Sequence, residues 1–289
     1  MSMELTMKET IEVIDKELEK LLEHEKKYQD IVFDSINYSL FTGGKRLRPI
    51  LLLKSCEMFS GSYENAIPFA LAIEMIHTYS LIHDDLPAMD DDDFRRGKLT
   101  NHKVYGEAMA ILAGDGLLNL AFETMIKYTI DNSNIMEDYI KNTKAIGEIA
   151  KYSGIYGMIG GQVLDLMSND VAMDEDKILF MYENKTAALI QASLVSGAIL
   201  GGAKDEEVEN IREFGLNLGL AFQIKDDILD EEEDKEINKL TYATYKGLEA
   251  AENKVEELSK KAIELLSKYE DKDIDFLGEL TRELIYRSH

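Results

Sequence analysis

Proline is nearly absent from this chain, and that scarcity limits what the chain can fold into. Only Pro49, Pro68 and Pro87 occur in 289 residues, whereas average usage is about 5%. Because proline interrupts helices, its near absence permits long ones. Apolar residues recur with helical spacing, for example over 11–22 and 255–266, and no sustained apolar/polar alternation is flanked by Asn-Gly or Asp-Gly turns. The sequence therefore predicts an all-α fold.

Clusters of glycine, serine, asparagine and acidic residues divide the chain into helical segments of about 15 to 30 residues. No shift in composition marks a linker, so one helical domain over residues 1–289 is expected. The predicted loops are Gly43-Gly44, Ser60-Gly61-Ser62, 131–134, 168–174, Gly201-Gly202 and 231–238.

The charge balance excludes several classes of partner. The chain has 32 Lys+Arg against 56 Asp+Glu, a net charge of −24, with an isoelectric point near 4.6. A strongly acidic chain is repelled from polyanions, which argues against nucleic acids and against anionic membrane surfaces. Hydrophobic residues make up 45% of the chain, enough for a core. Small phosphates remain possible ligands, with metal cations as intermediaries.

Cysteine usage and apolar segments indicate a cytoplasmic protein. Cys56 is the single cysteine, so it makes no intramolecular disulfide, and a reducing compartment is expected. Residues 1–30 interleave charged and apolar residues, which favours an amphipathic surface helix over a signal peptide. Residues 186–203 lack charges and approach the minimum of about 17 for a membrane span. Because Gln191, Ser193 and three glycines interrupt them, we expect a buried core helix and no stable membrane insertion.

Two acidic motifs each follow an apolar run: residues 84–90, Asp-Asp-Leu-Pro-Ala-Met-Asp, and residues 226–230, Asp-Asp-Ile-Leu-Asp. Adjacent carboxylates repel each other and are costly to desolvate, so their burial calls for a cation. Hard oxygen ligands select Mg²⁺, which is often shared with substrate phosphates. Asp226 and Asp230 are four residues apart and share a helix face, and Pro87 can turn the backbone so that Asp84 and Asp90 share a side. For residues 91–93 a solvated charge run is an equally good interpretation.

Two basic segments stand out in this acidic chain: Gly43-Gly44-Lys45-Arg46-Leu47-Arg48-Pro49 and Arg95-Arg96-Gly97-Lys98. Glycine lets a backbone approach a ligand closely, and the guanidinium fork matches phosphate oxygens. Alone, each segment is typical of a salt-bridged surface. Together with the aspartates, they indicate a diphosphate site.

These segments carry a family resemblance. The run from Glu74 to Gly97 resembles the first aspartate-rich motif of bacterial short-chain trans-isoprenyl diphosphate synthases, most of all the farnesyl diphosphate synthase branch. Four other segments agree in order and spacing, and the similarity extends from about Tyr38 to the C-terminus. They are residues 43–49, Gly160-Gly161-Gln162-Val163-Leu164-Asp165-Leu166, Lys185-Thr186, and Phe222-Gln223-Ile224-Lys225-Asp226-Asp227-Ile228-Leu229-Asp230.

The resemblance implies a single-domain isoprenoid-synthase-type helical bundle around a deep central cavity, with the two aspartate motifs facing each other, and a homodimer. It also implies a reaction: condensation of isopentenyl diphosphate with an allylic diphosphate, ending at farnesyl diphosphate. By analogy, the metal ligands for three Mg²⁺, or Mn²⁺, are Asp84, Asp85, Asp90, Asp226, Asp227 and Asp230.

The resemblance assigns further residues to the two substrates. Arg95, Lys185 and Lys239 would assist at the allylic diphosphate, and Lys45, Arg48, His77 and Arg96 would bind isopentenyl diphosphate. Near the developing cation it places Thr186 and Gln223, supported by Gln162 and Asp165. It implies that Asp84, Asp85, Asp90, Arg95, Lys185, Thr186, Gln223 and Asp226 form the catalytic set.

Chain length is predicted to depend on Tyr79. It precedes Asp84 by five residues, about 7.5 Å along a helix, where a growing prenyl tail would run. In the family, an aromatic residue here accompanies C15 product and smaller residues accompany C20. Ser80 lies beside this position, and geranylgeranyl diphosphate synthase (C20) is the nearest alternative.

The sequence departs from the family pattern in the loop after the second acidic motif. After Asp230 the family has a longer loop with a Gly-Lys element, whereas residues 231–238 are short and acidic.

A terpene cyclase also ionises a diphosphate on Mg²⁺ but needs no second diphosphate pocket, so Lys45, Arg48 and Arg96 disfavour it. A non-catalytic cation-binding or regulatory synthase subunit would not need both aspartate motifs.

Overall fold

The structure, a computed structural model, describes residues 3–25, 27–168, 171–232, 240–269 and 271–286. The all-α prediction is confirmed, and most of the predicted loops lie between helices, whereas residues 60, 131–132 and 231–232 of those loops are helical. The α-helices are α1 Met3–Leu21, α2 Asp30–Leu40, α3 Leu47–Ser60, α4 Ile67–Asp84, α5 Asn101–Tyr105, α6 Glu107–Asn132, α7 Met136–Ser153, α8 Met158–Leu166, α9 Glu175–Tyr182, α10 Ala188–Leu200, α11 Asp205–Leu229, α12 Tyr242–Lys246, α13 Leu248–Leu266 and α14 Asp275–Tyr286.

The chain folds as two compact units. Unit 1 comprises Met1–Ile50 and Asn65–Asn142, and unit 2 comprises Leu51–Glu64 and Thr143–His289. Each acidic motif belongs to a different unit, 84–90 to unit 1 and 226–230 to unit 2. The single domain expected from the sequence stays a prediction.

Unit 1 is organised around α4. The helix carries apolar residues on all sides, among them the fully buried Phe69 and Ile73, as expected for a core helix. Phe69 packs edge-to-face on Tyr128 of α6 with ring centroids 5.9 Å apart. Pro68 lies in the first turn, where proline's missing N–H costs nothing. A rigid core helix therefore ends at Asp84, the start of the first acidic motif.

A short hairpin is the exception to the helical pattern. Strands β1, Phe94–Arg95, and β2, Lys98–Leu99, pair antiparallel within unit 1. Arg96 and Gly97 between them both have positive φ, 53° and 74°, the conformation of a two-residue type I′ turn. This hairpin differs from the sequence prediction, because its strands are only two residues long and its turn is Arg-Gly and not Asn-Gly or Asp-Gly.

Unit 2 has α10 at its core. Twelve of its thirteen residues are buried, so the core of the uncharged segment 186–203 is a buried helix, as predicted. Gly197 lies so close to α3 that a β-carbon there would be 2.2 Å from the Leu52 carbonyl oxygen. Ser55 of α3 donates to the Leu194 carbonyl at 2.6 Å. Small residues thus let α3 and α10 pack in close contact.

Helix α6 is the described helix that is long and apolar enough to cross a membrane by length and composition. The sequence analysis did not single it out. Its apolar window is 33% buried within the structure, and Ile111, Leu112, Ile126 and Ile130 are exposed. One such helix is weak evidence for a membrane span, because core helices of soluble proteins pass the same test.

Candidate active site

The first acidic motif turns back on itself. Asp85 caps α4, and proline is common shortly after a helix C-terminus because it cannot continue the helix. The Asp90 N–H donates to the Asp84 carbonyl at 2.9 Å, and the Asp91 N–H donates to the Leu86 carbonyl at 3.1 Å. Asp84 is half-buried and Asp90 is exposed. The backbone around Pro87 therefore brings the first and last aspartates of the motif together.

Asp85 is paired with Arg95 from the hairpin. The Arg95 Nε donates to the Asp85 carboxylate at 2.6 Å, and the carboxylate side chain is 4% exposed. Burial raises the pKa of Asp85, and the hydrogen bond and charge of Arg95 act in the opposite direction. Two predicted site residues thus bind each other here, and the metal role of Asp85 stays a prediction.

The following acidic residues belong to the protein surface. Asp93 pairs with Lys103 at 2.6 Å, with both side chains exposed. Asp92 lies 3.5 Å from Arg95 and is half exposed. These contacts favour the interpretation of 91–93 as a solvated charge run.

The two basic segments meet in unit 1. The Arg96 guanidinium donates to the Gly43 carbonyl and lies so close to Gly44 that a β-carbon there would be 2.8 Å from it. Gly43 and Gly44 have φ of 103° and 139°, a region that side chains rarely adopt. The glycines therefore allow the loop to seat the hairpin's arginine.

His77 completes this basic cluster. Arg48 lies 3.4 Å from the His77 Nε2. Burial, and then the neighbouring Arg48, Arg96 and Arg95, hold the pKa of His77 well below its usual value. A neutral imidazole accepts at one nitrogen, so His77 can accept from Arg48 without adding a charge. Lys45 is exposed beside them.

In unit 2, Lys185 and Thr186 lie in a π-helical turn, Glu183–Ala187, between α9 and α10. Such turns are rare and frequent at functional sites. The Lys185 Nζ donates to Asp165 of α8 at 2.5 Å. Gln162, one turn earlier on α8, is half-buried. The π-helical turn therefore brings Lys185 to the helix that carries Gln162 and Asp165.

Two glycines make room for this turn. A β-carbon at Gly161 would be 2.2 Å from the Lys185 backbone nitrogen, and one at Gly219 would be 2.4 Å from the Ala187 Cβ. Real β-carbons do not approach other atoms so closely. Gly161 of α8 and Gly219 of α11 thus hold the π-helical turn between two helices by backbone proximity.

Gly161→Ala should therefore destabilise the protein by about 3 kcal/mol, because the added carbon meets backbone that cannot yield cheaply. The matched control is Gly147→Ala in α7, where a β-carbon would meet nothing within 4 Å. That change should stabilise by about 0.5 to 1 kcal/mol through helix propensity. Urea unfolding of both variants measures the difference, and a neutral Gly161→Ala would contradict the close approach.

A hydrogen-bond network connects the second acidic motif to Thr186. Thr186 donates to the side-chain Oε1 of Gln223 at 2.8 Å, and the side-chain Nε2 of Gln223 donates to Asp227 at 3.1 Å. Tyr182 donates to the other Asp227 oxygen at 2.6 Å, and the Tyr242 N–H donates to the Tyr182 hydroxyl at 2.9 Å. Asp227 is 4% exposed. Both of its oxygens are occupied by protein donors, and its metal role stays a prediction.

The other two aspartates of this motif lie at the end of α11. The Asp230 N–H donates to the Asp226 carbonyl at 3.0 Å, so they are stacked one turn apart, as their spacing predicts. Asp226 is half-buried and Asp230 is exposed. Lys239 and residues 233–238 lie outside the described residues, so the short acidic loop stays a prediction.

The carboxylates of the two acidic motifs are hard oxygen donors of the kind that bind Mg²⁺. Among the described residues, no three His, Cys, Asp or Glu side chains form a complete metal cage. Mg²⁺ is usually bound through one or two carboxylates together with water and substrate phosphates. Asp84 with Asp90, and Asp226 with Asp230, each offer such a pair of hard oxygen donors, which would hold the ion together with a diphosphate.

Tyr79 lies on α4 where the sequence predicted it. The residue is 7% exposed, and its ring packs edge-to-face on His83 with centroids 5.8 Å apart. Burial raises the pKa of Tyr79 to about 12, so the hydroxyl remains protonated at neutral pH. Ser80 is half-buried and donates to the His77 carbonyl at 2.8 Å.

Sequence reasoning missed three residues that organise these sites: Arg46, Tyr182 and Tyr242. Arg46 was read only as part of a basic segment, although its side chain is buried and ion-paired. The tyrosines carry no motif of their own. Tyr182 precedes Lys185 by three residues and Tyr242 follows Asp227 by fifteen, so only the folded chain reveals that they meet.

The comparisons with known proteins identify the family of the chain. The polyprenyl synthetase family model matches residues 29–275. A heterodimeric geranylgeranyl pyrophosphate synthase large subunit of Arabidopsis thaliana is 43% identical, covering 89% of this chain and 72% of that protein. A dimethylallyltranstransferase of Fischerella ambigua is also 43% identical, covering 91% and 78%.

Solved structures give the same family. A farnesyl/geranylfarnesyl diphosphate (FPP/GFPP) synthase of Zymomonas mobilis superposes with a TM-score of 0.89 at 35% identity, covering 98% of each chain. A geranyltransferase of Legionella pneumophila superposes with a TM-score of 0.87 at 32% identity, covering 99% of this chain and 98% of that one. The chain therefore belongs to the polyprenyl synthetase family and is a short-chain prenyltransferase.

Proposed function

We propose that the protein condenses isopentenyl diphosphate with dimethylallyl or geranyl diphosphate to farnesyl diphosphate and releases pyrophosphate. The observation that carries this proposal is the cationic cluster of unit 1, in which Arg96 is seated on Gly43 and Arg48 approaches His77. This cluster provides positive charge that could bind a second diphosphate, separate from the one bound through metal ions. A terpene cyclase has no second diphosphate to bind, so the cluster favours chain elongation.

In the reaction, the C1–O bond of the allylic diphosphate breaks, giving a delocalised cation and pyrophosphate. The double bond of isopentenyl diphosphate attacks C1, and the departing pyrophosphate takes the proton released. Divalent ions would supply Lewis-acid charge to the leaving group. Arg95 and Lys185 add fixed positive charge there, as electrostatic stabilisation requires. Thr186 and Gln223 are hydrogen-bonded to each other, so their oxygen dipoles are pre-oriented for the allylic cation.

Three Mg²⁺ ions, replaceable by Mn²⁺, are proposed as the metal complement, with Asp84, Asp90, Asp226 and Asp230 as the principal ligands. Half-buried Asp84 and Asp226 combine solvent access with partial shielding. Asp85 and Asp227, which are engaged by Arg95 and by Tyr182, would ligate only after exchanging these partners. Lys239 would assist at the same diphosphate.

The C15 product follows from Tyr79. A buried aromatic ring five residues before Asp84 limits the length of a prenyl tail that runs along α4. The C20 alternative has its own support. Several relatives at about the same identity are named geranylgeranyl pyrophosphate synthases, including one from Capsicum annuum at 42%.

A homodimer is part of the proposal. The exposed apolar residues of α6 recur at helical spacing, from Ile111 and Leu112 to Ile126 and Ile130. Exposed Met136, at 72%, adds to the apolar surface of unit 1. Extensive exposed apolar surface marks interaction sites, and we propose that a second copy covers these side chains.

The cytoplasm is the proposed location. Cys56 is buried and, as the single cysteine of the chain, forms no intramolecular disulfide, which is compatible with a reducing compartment. The substrates are small, water-soluble diphosphates.

The proposed function is tested by incubating the protein with isopentenyl and geranyl diphosphates and Mg²⁺, and separating the products by chain length. Farnesyl diphosphate is the expected product. Geranylgeranyl diphosphate would correct the chain length, a hydrocarbon would indicate a cyclase, and cation binding without turnover would indicate a non-catalytic subunit.

A further inference from the structure

The loop between α2 and α3 contains three cations with different surroundings. Lys45 is exposed and Arg48 is half-buried, whereas the Arg46 side chain is 3% exposed. A buried guanidinium must be paired and hydrogen-bonded to be stable. The hydrogen-bond partners of Arg46 therefore indicate its role.

Arg46 binds three different helices of unit 1. Its Nε donates to Asp15 of α1 at 2.9 Å, and one terminal nitrogen donates to Glu74 of α4 at 2.7 Å. The other terminal nitrogen donates to the Leu40 carbonyl at 2.7 Å, in the last turn of α2. The planar guanidinium holds its N–H groups in a fixed fork, so it can serve three acceptors that lie in different directions.

The backbone of Arg46 is held in an unfavourable conformation. Its φ is 45°, in the left-handed region that residues with a β-carbon rarely adopt. Such a conformation persists when the surrounding structure over-determines it, and it is found at ligand-binding sites. The three side-chain contacts of Arg46 supply that constraint. They fix the backbone of the loop between Gly44 and Arg48.

Glu74 connects this anchor to the candidate site. It is 3% exposed and lies one helical turn before His77, which Arg48 approaches at 3.4 Å. Residues three to four apart share a helix face, so the anchor and His77 lie on one side of α4. The same helix ends at Asp84.

We propose that Arg46 is a positioning residue for isopentenyl diphosphate: anchored on Glu74, Asp15 and Leu40, it holds Lys45 and Arg48 in place without contacting the substrate. The inference rests on the proposed function. A misplaced cation binds the same phosphate less tightly, so the residue acts on affinity for one substrate and leaves the allylic site unchanged.

The test is Arg46→Lys, which keeps the charge but offers a single nitrogen to three acceptors. The KM for isopentenyl diphosphate should rise about 10- to 100-fold, in line with the known cost of small misplacements, and the KM for geranyl diphosphate should stay within about twofold. Glu74→Gln should give the same pattern. The effects in the double variant should be less than additive, because both changes disturb the contact between Arg46 and Glu74.

Arg212→Lys is the matched control. Arg212 of unit 2 also binds several acceptors, donating to Glu148 at 2.8 Å and to Tyr152 at 2.7 Å. Its replacement should lower the melting temperature without changing either KM. A KM rise for both substrates in Arg46→Lys, or the same KM shift in Arg212→Lys, would show a general structural role and overturn the inference.

Calorimetric titration with isopentenyl diphosphate in the absence of metal separates the inference from the reaction. The inference is supported if the parent protein binds isopentenyl diphosphate and Arg46→Lys binds it at least about tenfold more weakly. This result would stand even if no condensation product forms and the proposed function fails. Equal binding by parent and variant, or no binding by the parent, overturns it. Should Arg46→Lys not fold, Glu74→Gln provides the same readouts.

Discussion

Replacing Asp84 or Asp226 by asparagine should lower kcat by about 10³-fold, the scale of losing one electrostatic contact to the transition state. The amide has nearly the same shape but lacks the negative charge that a divalent ion requires. Both residues are half-buried at the end of a rigid helix, so the change should leave the fold intact. Turnover of geranyl and isopentenyl diphosphates at saturating Mg²⁺ measures the effect.

Asp93→Asn is the matched control for this experiment. Asp93 follows the same motif but is exposed and paired with Lys103 at 2.6 Å. A surface ion pair of this kind contributes little, so kcat should stay within about twofold of the parent value. Equal losses in Asp93→Asn and Asp84→Asn would mean that total negative charge matters and that Asp84 is no specific ligand.

Tyr79→Ala should change the main product from C15 to C20 or longer. Tyr79 is 7% exposed, and removing its ring opens space beside α4 for further isoprene units. Truncating a buried aromatic residue also costs about 3 to 5 kcal/mol of stability, so assays belong well below the melting temperature. Products are resolved by chain length at equal extents of conversion.

Tyr79→Phe separates the ring from the hydroxyl. The phenylalanine ring fills the same volume and keeps the edge-to-face contact with His83, so the product should remain C15. An unchanged profile in Tyr79→Ala would remove Tyr79 as the determinant of length. A C20 product from the parent protein would show that the ring does not stop elongation, in line with the names of several relatives.

The sequence predicts well what depends on local pattern. The helical class, the loops and the burial of 186–203 all follow from spacing and composition, which act within one element. The stacking of Asp230 on Asp226 and the return of Asp90 to Asp84 likewise follow from helix geometry and one proline. These features need no knowledge of what packs against them.

What the sequence did not predict depends on contacts between distant segments. The motif predicts that Asp227 is a metal ligand, yet in the structure its carboxylate accepts a hydrogen bond from Tyr182, and Tyr182 in turn accepts one from the Tyr242 N–H. Gly161 appeared only as part of a motif, and its close approach to the Lys185 backbone is visible only in three dimensions. Charge type alone also did not separate the buried Arg46 from the exposed Lys45.

Metal dependence tests the central claim most directly, because a chain of net charge −24 is proposed to bind two negatively charged diphosphates. Product formation from geranyl and isopentenyl diphosphates should stop in excess chelator and return when Mg²⁺ is added in surplus. Undiminished formation of the prenyl product in excess chelator would contradict the account.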